Sequence, residues 1–181
     1  PPVSRDALTH HLLVPKLYLK HGGFHEIPSI EFSYYPMNLE MLYLVPMYFG
    51  SDIVPKYIHL AFGLLTSLLI FGYLKKRLGS IYPYFGALFF LSIPIVVKLA
   101  ITAYVDLGLA FFTTASLFLL FRWVEHSFRL RDLVFSAIMC GLALGTKYNG
   151  LIAFLLLTLS TAILYERGHG KAGRHPLGAV T

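Results

Sequence analysis

The stretch KLAITAYVDLGLAFFTTASLFLLF, residues 98–121, is the clearest indication of the fold class of this chain. It is apolar enough and long enough to cross a bilayer, which takes about 20 residues, yet Lys98 and Asp106 lie near its beginning. An ionised carboxylate in hydrocarbon is costly, so an acid in such a segment marks a functional site or an ion pair. The stretch therefore predicts a transmembrane helix with a candidate functional site at its charged end.

The composition of the whole chain is that of a membrane protein. Of its 181 residues 56% are hydrophobic and only 13% are charged, whereas a soluble domain carries about 25% charged residues. The net charge of +6 indicates membrane topology rather than nucleic-acid binding, because no basic run is long enough to follow a phosphate backbone. The single cysteine, Cys140, excludes an intrachain disulfide.

Five apolar runs follow one another from residue 56 onward. They are Tyr57–Leu74, Ile81–Val97, Leu99–Phe121, Leu133–Thr146 and Gly150–Tyr165. As one helix the last two would extend about 50 Å, too long for a hydrocarbon core of about 30 Å, so a turn is predicted at Tyr148–Gly150. The prediction is an all-α polytopic membrane protein with about five transmembrane helices over residues 56–166, an outer N-terminal segment over residues 1–55 and a cytoplasmic tail or loop over residues 167–181.

The positive residues predict the orientation. With five spans, one side of the membrane receives Lys75, Lys76, Arg77, Arg122, Arg129, Arg131, Arg167, Lys171 and Arg174, which makes that side cytoplasmic. Asp106, Lys98 and Lys147 then lie on the outer side, where lysines are unexpected and a bound anion would explain them. For Lys147, snorkelling to the headgroups is the alternative explanation. We expect an integral protein of a bacterial or archaeal inner or plasma membrane, with its site on the outer face.

The first 55 residues are predicted to lie at the membrane interface. Asp6 occupies a helix N-cap position, and Gly22–Gly23 end a helix whose leucines recur with helical spacing at residues 8, 12, 13, 17 and 19. A second apolar stretch, Met37–Phe49, is interrupted by Pro46 and is too short to span. An outer segment of this kind needs a preceding span, so we expect the chain to be a fragment of a longer protein.

Three motifs, RDALTHHLLVPKLYLKHG, AYVDLGLAFF and GLALGTKYNGL, occur in this order over about residues 5–165. Together they resemble the polytopic lipid-linked-sugar glycosyltransferases of the GT-C fold, in particular the bacterial branch related to protein O-mannosyltransferases and to the aminoarabinose transferase of lipid A. The resemblance implies that Asp6 is the general base and that Asp106 is a second site acid. It also matches Thr146–Lys147 to the family's outer turn. The family often carries two adjacent acids in the first loop, whereas Asp6 is followed by Ala7.

The chemistry agrees with this resemblance. Attack of an acceptor hydroxyl on a sugar whose leaving group is polyprenyl phosphate needs a carboxylate to take the proton and cations to hold the phosphate. The predicted catalytic residues are Asp6 and Asp106. The predicted substrate-binding residues are Arg5, His11, Lys98, Tyr104, Lys147 and Tyr148. The partners are a polyprenyl-phosphate sugar donor, a lipid, glycan or protein acceptor and membrane lipids. Transfer is expected to invert the sugar carbon, no residue is assigned as a metal ligand, and a divalent metal stays open as a cofactor.

Two other functions fit part of the pattern. A transporter or flippase for a lipid-linked or anionic solute would also place acids and cations along a pathway, but nearer the bilayer midplane and on repeated, broken helices. A catalytically silent structural subunit would tolerate replacement of both Asp6 and Asp106. The histidines near the N-terminus are dense enough to suggest a metal site, but Gly22–Gly23 separate His21 from His25 and argue against one ligand-bearing helix.

Overall fold

The computed structural model describes residues 2–172, with side chains as far as Gly168. Over this range the chain forms helices and no strand, which confirms the all-α prediction. The helices are α1 (Leu13–His21), α2 (Asn38–Tyr48), α3 (Val54–Lys75), α4 (Tyr82–Ser92), α5 (Pro94–Ala100), α6 (Asp106–Glu125), α7 (Leu130–Thr146) and α8 (Gly150–Ala172). A π-helical turn, Ala7–His11, precedes α1, and a 3-10 turn, Glu31–Tyr34, precedes α2.

Three helices, α3, α6 and α8, are each long and apolar enough to cross a membrane. The bent pair α4–α5 makes a fourth candidate. Helix α7 has 17 residues and so only just reaches the minimum length of a transmembrane helix, about 17 residues. The membrane class is therefore confirmed, and five spans is an approximate number. The predicted turn after Thr146 is present. Helix α8 continues beyond Tyr165 to Ala172, so the first residues of the predicted tail are helical. The remainder of the tail, from residue 173, lies outside the described residues.

The predicted run Ile81–Val97 is not one straight helix. Because proline restricts the residue before it, Ile93 is extended (φ −61°, ψ 122°), and α4 and α5 meet at 67°. Lys98 consequently lies on the short helix α5 rather than at the beginning of the next span. That span, predicted from Leu99, begins only at Asp106, after a loop over residues 101–105.

The N-terminal segment forms the predicted helix and stop, but differs in its second half. Gly22 adopts a left-handed conformation (φ 77°), and the Gly23 N–H donates to the Tyr18 carbonyl at 3.0 Å, which closes the end of α1. Pro46, predicted to interrupt the second apolar stretch, lies inside the continuous helix α2. The segment packs on the loop before α6 through a buried cluster that includes Ala7, Leu39 and Val105.

Helices α6 and α7 are antiparallel and form the centre of the bundle. The Ser116 hydroxyl donates to the Ser136 carbonyl at 2.8 Å, and the Ser136 hydroxyl donates to the Ser116 carbonyl at 2.7 Å. Because the helices run in opposite directions, the bundle has an end that contains the beginning of α6 and the end of α7, here called the Asp106 end. The other, here called the Arg122 end, contains the end of α6 and the beginning of α7.

Candidate active site at the Asp106 end

A cavity of about 250 Å³ opens between the N-terminal segment and the Asp106 end of the bundle. It is lined by Asp6, His10, His11, Phe32, Tyr35, Pro36, Met37, Glu40, Val105, Thr146 and Lys147. Burial distinguishes its floor from its mouth. His11, Glu40, Val105 and Thr146 are buried, whereas Asp6, Phe32 and Tyr35 are exposed. The cavity therefore combines a closed polar floor with an open acidic and aromatic mouth.

Lys147 and Asp106 form an ion pair beside this cavity. The Lys147 Nζ donates to Asp106 Oδ1 at 2.7 Å, and both side chains remain about one-third exposed. Asp106 is the first residue of α6 and Lys147 directly follows the last residue of α7. Each charge thus lies at the helix end whose dipole favours it. Of the two, only Lys147 lines the cavity, and Asp106 contacts the lysine ammonium from beside it.

Asp6 precedes the π-helical turn at the N-cap position, as predicted, but makes no side-chain capping hydrogen bond. Its backbone is helical (φ −67°, ψ −33°) rather than in the β region typical of a capping residue. The carboxylate is exposed and lines the mouth of the cavity. It is consequently free to accept a proton or a hydrogen bond from a ligand.

Two histidines follow Asp6 and differ in environment. The His10 ring stacks on Phe32 with centroids 4.3 Å apart. Burial, together with the neighbouring His11 and Lys147, lowers the pKa of His10 to about 4, against an opposing effect of Asp6. His10 is therefore an uncharged wall of the cavity at neutral pH. His11 is buried and its Nδ1 lies 2.7 Å from Glu40 Oε1.

Glu40 is the first of two residues of this region that the sequence did not lead us to predict. It is 2% exposed, its Oε1 pairs with His11, and its Oε2 has no hydrogen-bond partner among the described residues. The signal was present in NLEMLYLVPMY, residues 38–48, where one glutamate lies in an apolar helix. A buried carboxylate is rare unless it is paired or functional.

A second missed residue, His59, is fully buried in α3 and fixes the loop that leads to Asp106. Its Nε2 accepts the Leu107 N–H at 2.9 Å, and its Nδ1 lies 3.1 Å and 3.0 Å from the carbonyls of Leu99 and Thr102. The ring joins α3 to both ends of the loop over residues 101–105. It positions the beginning of α6 and thereby the Asp106 carboxylate.

The other predicted substrate-binding residues lie around the cavity without lining it. Tyr104 lies behind His11, with ring centroids 5.4 Å apart, and its hydroxyl bonds to Ser4. Tyr148 is exposed and packs edge-on against Tyr35 at 4.7 Å, at the mouth. Arg5 and Lys98 are exposed and do not contribute to the cavity wall.

The carboxylates and histidines of this region are the side chains that could bind a metal ion. Within residues 2–168, no three or more His, Cys, Asp or Glu side chains are placed to hold one ion together. At the cavity itself, Asp6 supplies a carboxylate and Lys147 an ammonium group.

Comparison with sequence families matches residues 41–177 to the dolichyl-phosphate-mannose-protein mannosyltransferases. The match includes Asp106 and Lys147, and it begins just after Glu40, so Asp6 and His11 lie outside it. Neither the curated proteins nor the solved structures gave a match. Since the matched residues make up most of the 181-residue chain, the protein belongs to the dolichyl-phosphate-mannose-protein mannosyltransferase family.

Proposed function

We propose that this chain carries the outer-face donor site of a membrane glycosyltransferase that moves a sugar from a polyprenyl phosphate to an acceptor hydroxyl, with inversion. Family membership implies a glycosyltransferase with a lipid-linked sugar donor and an acceptor. The observation that carries the finer proposal is that Asp6 and Lys147 line one cavity, although about 140 residues separate them in the chain. The proposed base, Asp6, and the proposed partner of the donor phosphate, Lys147, therefore face the same cavity.

The proposed step is a single displacement at the sugar carbon C1. The acceptor oxygen forms a bond to C1 while the bond from C1 to the phosphate oxygen breaks, and that oxygen keeps the electron pair. The hydroxyl proton passes to the Asp6 carboxylate, and the Lys147 ammonium stabilises the negative charge on the departing phosphate. Because attack and departure occur on opposite sides of C1, the configuration inverts.

The depth of Lys147 suits a lipid-phosphate donor. It lies at the end of α7, so a polyprenyl chain in the bilayer would bring its phosphate to that level. The opposite end carries Lys75, Lys76, Arg77, Arg122, Arg129 and Arg131, and such an excess of cations favours a cytoplasmic location. We therefore infer that the cavity faces the outer side of a bacterial or archaeal plasma membrane.

The transporter alternative has one feature in its favour, the broken pair α4–α5, since transporters bind solutes at discontinuous helices. The ion pairs of α6 and α7, however, lie at the helix ends rather than at their midpoints. A transfer assay distinguishes the two functions, because a transporter leaves the donor intact.

The test of the proposed base is Asp6→Asn in the full-length protein. Asparagine keeps the size of the side chain but cannot accept the proton, so transfer from a polyprenyl-phosphate sugar should fall about 10²–10⁴-fold with little change in separately measured donor affinity. Asp52→Asn, the same exchange at an exposed position of the N-terminal segment, is the control. Near-wild-type transfer by Asp6→Asn would remove the proposed base.

The orientation has its own test. Ser29→Cys in the N-terminal segment and Ser80→Cys after α3 are both at exposed positions, and they should be labelled by an impermeant thiol reagent from opposite sides of sealed vesicles. The native Cys140 is buried, which keeps the background low. Labelling of both from the same side contradicts the proposed topology.

A further inference from the structure

Glu40 has a hydrogen-bonding capacity that the side chains and backbone of the described residues do not use. One oxygen, Oε1, pairs with the His11 Nδ1 at 2.7 Å, while Oε2 is shielded from solvent and has no partner within the described residues. A buried acceptor without a partner is destabilising, and native proteins contain few of them. Such a group in a cavity wall calls for a ligand.

The surroundings of Glu40 hold its carboxylate in place. The next turn of α2 buries Tyr43 completely, and its hydroxyl donates to the Tyr104 carbonyl. On the preceding side, Leu39 packs so closely on α6 that a Cβ at position 108 would lie 2.6 Å from its Cδ2. Helix α2 is thus fixed on both sides of Glu40, which keeps this residue at the cavity floor.

We propose that Glu40 is a specificity residue whose Oε2 accepts a hydrogen bond from a ring hydroxyl of the sugar being transferred. This inference rests on the proposed function of the same cavity. Asp6, which takes the acceptor proton, is exposed at the mouth, so the acceptor arrives there. Glu40 and Val105 belong to the buried floor, which leaves the floor to the donor sugar.

The cavity suits a sugar ring held between its aromatic mouth and its buried polar floor. His10 and Phe32 form a stacked pair at the mouth, and burial keeps His10 uncharged by lowering its pKa to about 4. An uncharged aromatic surface suits the C–H face of a sugar, while the floor supplies the polar contact. A volume of about 250 Å³ is just below the ~300–1,000 Å³ usual for ligand pockets, which fits one ring better than a longer glycan.

The inference predicts discrimination by hydroxyl groups. A site whose buried polar group needs a substrate hydroxyl strongly rejects an analogue that lacks it, because the protein group is left unpaired. For a bond to one carboxylate we expect wild-type kcat/KM to fall about 10- to 100-fold for one particular deoxy-sugar donor. The other deoxy donors should lose much less.

The experiment is a set of polyprenyl-phosphate donors, each lacking one ring hydroxyl, assayed with the full-length wild type and with Glu40→Gln. The variant should lose activity on the complete donor, and its penalty for the critical deoxy donor should shrink several-fold, because a neutral amide makes a weaker hydrogen bond to a hydroxyl than a carboxylate does. Glu31→Gln, an exposed glutamate of the 3-10 turn, should keep the wild-type pattern.

Two results would overturn the inference. One is a wild type that penalises no single deoxy donor, a measurement that does not require the variant to fold. The other is a Glu40→Gln protein that is less stable but keeps the full wild-type discrimination, which would make Glu40 purely structural.

Failure of the proposed function gives a different result. Donor binding, measured by titration of the same deoxy series onto wild type and Asp6→Asn, does not require turnover. Selective weakening of binding by one deoxy donor supports Glu40 even if Asp6→Asn still transfers sugar. Uniform binding of all donors contradicts Glu40 even if Asp6 proves to be the base.

Discussion

Helices α6 and α7 carry an aspartate ion pair at each end, and the two pairs differ in what they leave free. At the Arg122 end, the Asp132 side chain is 4% exposed, and its two oxygens are bonded by Arg122 at 3.0 Å and by His126 at 2.7 Å. At the Asp106 end, the aspartate side chain is 29% exposed and Lys147 pairs with one of its oxygens at 2.7 Å. We call the first pair closed because both Asp132 oxygens are bonded by side chains. We call the second pair open because its lysine, Lys147, lines the cavity.

Unused hydrogen-bonding capacity separates the functional from the structural charges of this bundle. A carboxylate whose oxygens are both bonded by neighbouring side chains has little left to offer a ligand, and replacing it removes both of those bonds at once. A lysine has three N–H donors, so Lys147 can keep its bond to Asp106 and still donate to a phosphate. The candidate site is therefore marked by hydrogen-bond donors and acceptors that the ion pair does not use, rather than by charge alone.

The largest expected effect on stability comes from comparing the same exchange at the two ends. Asp132→Asn removes the charge that Arg122 and His126 share, so Tm should fall by roughly 5–10 °C while kcat per folded molecule stays near wild type. Asp106→Asn should leave Tm nearly unchanged but lower transfer about 10-fold and weaken donor binding, because Lys147 loses its positioning partner. Thermal unfolding in detergent and the transfer assay measure the two.

Asp106→Glu is the conservative control, since it keeps the charge beside Lys147 and should restore part of the activity. Equal losses of stability from Asp106→Asn and Asp132→Asn would remove the distinction between an open and a closed pair. A loss of transfer by folded Asp132→Asn would extend the functional site to the Arg122 end.

The next effect separates the two lysines that the sequence placed together on the outer face. Lys147 lines the cavity, whereas Lys98 is exposed on α5. Lys147→Gln should reduce kcat/KM about 10- to 100-fold by removing a charged hydrogen bond to the phosphate. Lys98→Gln should change it about 2-fold or less, as should the exposed control Lys20→Gln. Equal effects of the first two exchanges would show that the donor phosphate extends to α5.

A smaller effect is expected from His10 as the pH is lowered. Its pKa is lowered to about 4 in the folded protein from 6.5, so the unfolded chain takes up the proton first. The contribution of neutral His10 to stability is complete above pH 6.5 and is lost as the pH falls toward 4. Between pH 7 and pH 4.5, His10→Asn should lose less Tm than wild type, by up to about 3 °C because the ring is only half-buried.

The comparison for this pH dependence is His21→Asn, an exposed histidine at the end of α1. That variant should follow the wild-type Tm over the whole pH range. A parallel decline of wild type and His10→Asn would contradict the assignment of an uncharged His10 to the cavity wall.

The sequence predicted the membrane class and most of the helices because hydrophobic length alone fixes them. It was wrong at Pro46, which it expected to interrupt the second apolar stretch. Pro94 bends the chain by 67°, whereas Pro46 is accommodated within α2. Both are prolines in apolar runs, and their different outcomes depend on packing with other helices, which periodicity does not contain.

The ion pair of the site was predictable because its charges appeared out of place, whereas Asp6 was predicted from the family resemblance. Asp106 and Lys147 were identified because charges are costly in apolar segments, and the structure pairs them at 2.7 Å. Glu40 and His11 pair although they lie 29 positions apart in sequence, and nothing in either local stretch indicates that partner. Pairing of this kind is decided by how the N-terminal segment folds back on the bundle.

The smallest expected effect concerns an ion pair near the closed one, between Arg77 after α3 and Glu125 at the end of α6. The side chains are 30% and 49% exposed, and the Arg77 guanidinium also lies 3.8 Å from the centre of the Tyr73 ring. Because exposed pairs contribute about 0–1 kcal/mol and the arginine keeps its aromatic contact, Glu125→Gln should lower Tm by less than about 3 °C. High salt should remove even that difference. A decrease as large as that from Asp132→Asn would mean that exposure does not separate the weak pair from the strong one, and that the two pairs at the Arg122 end act as one network.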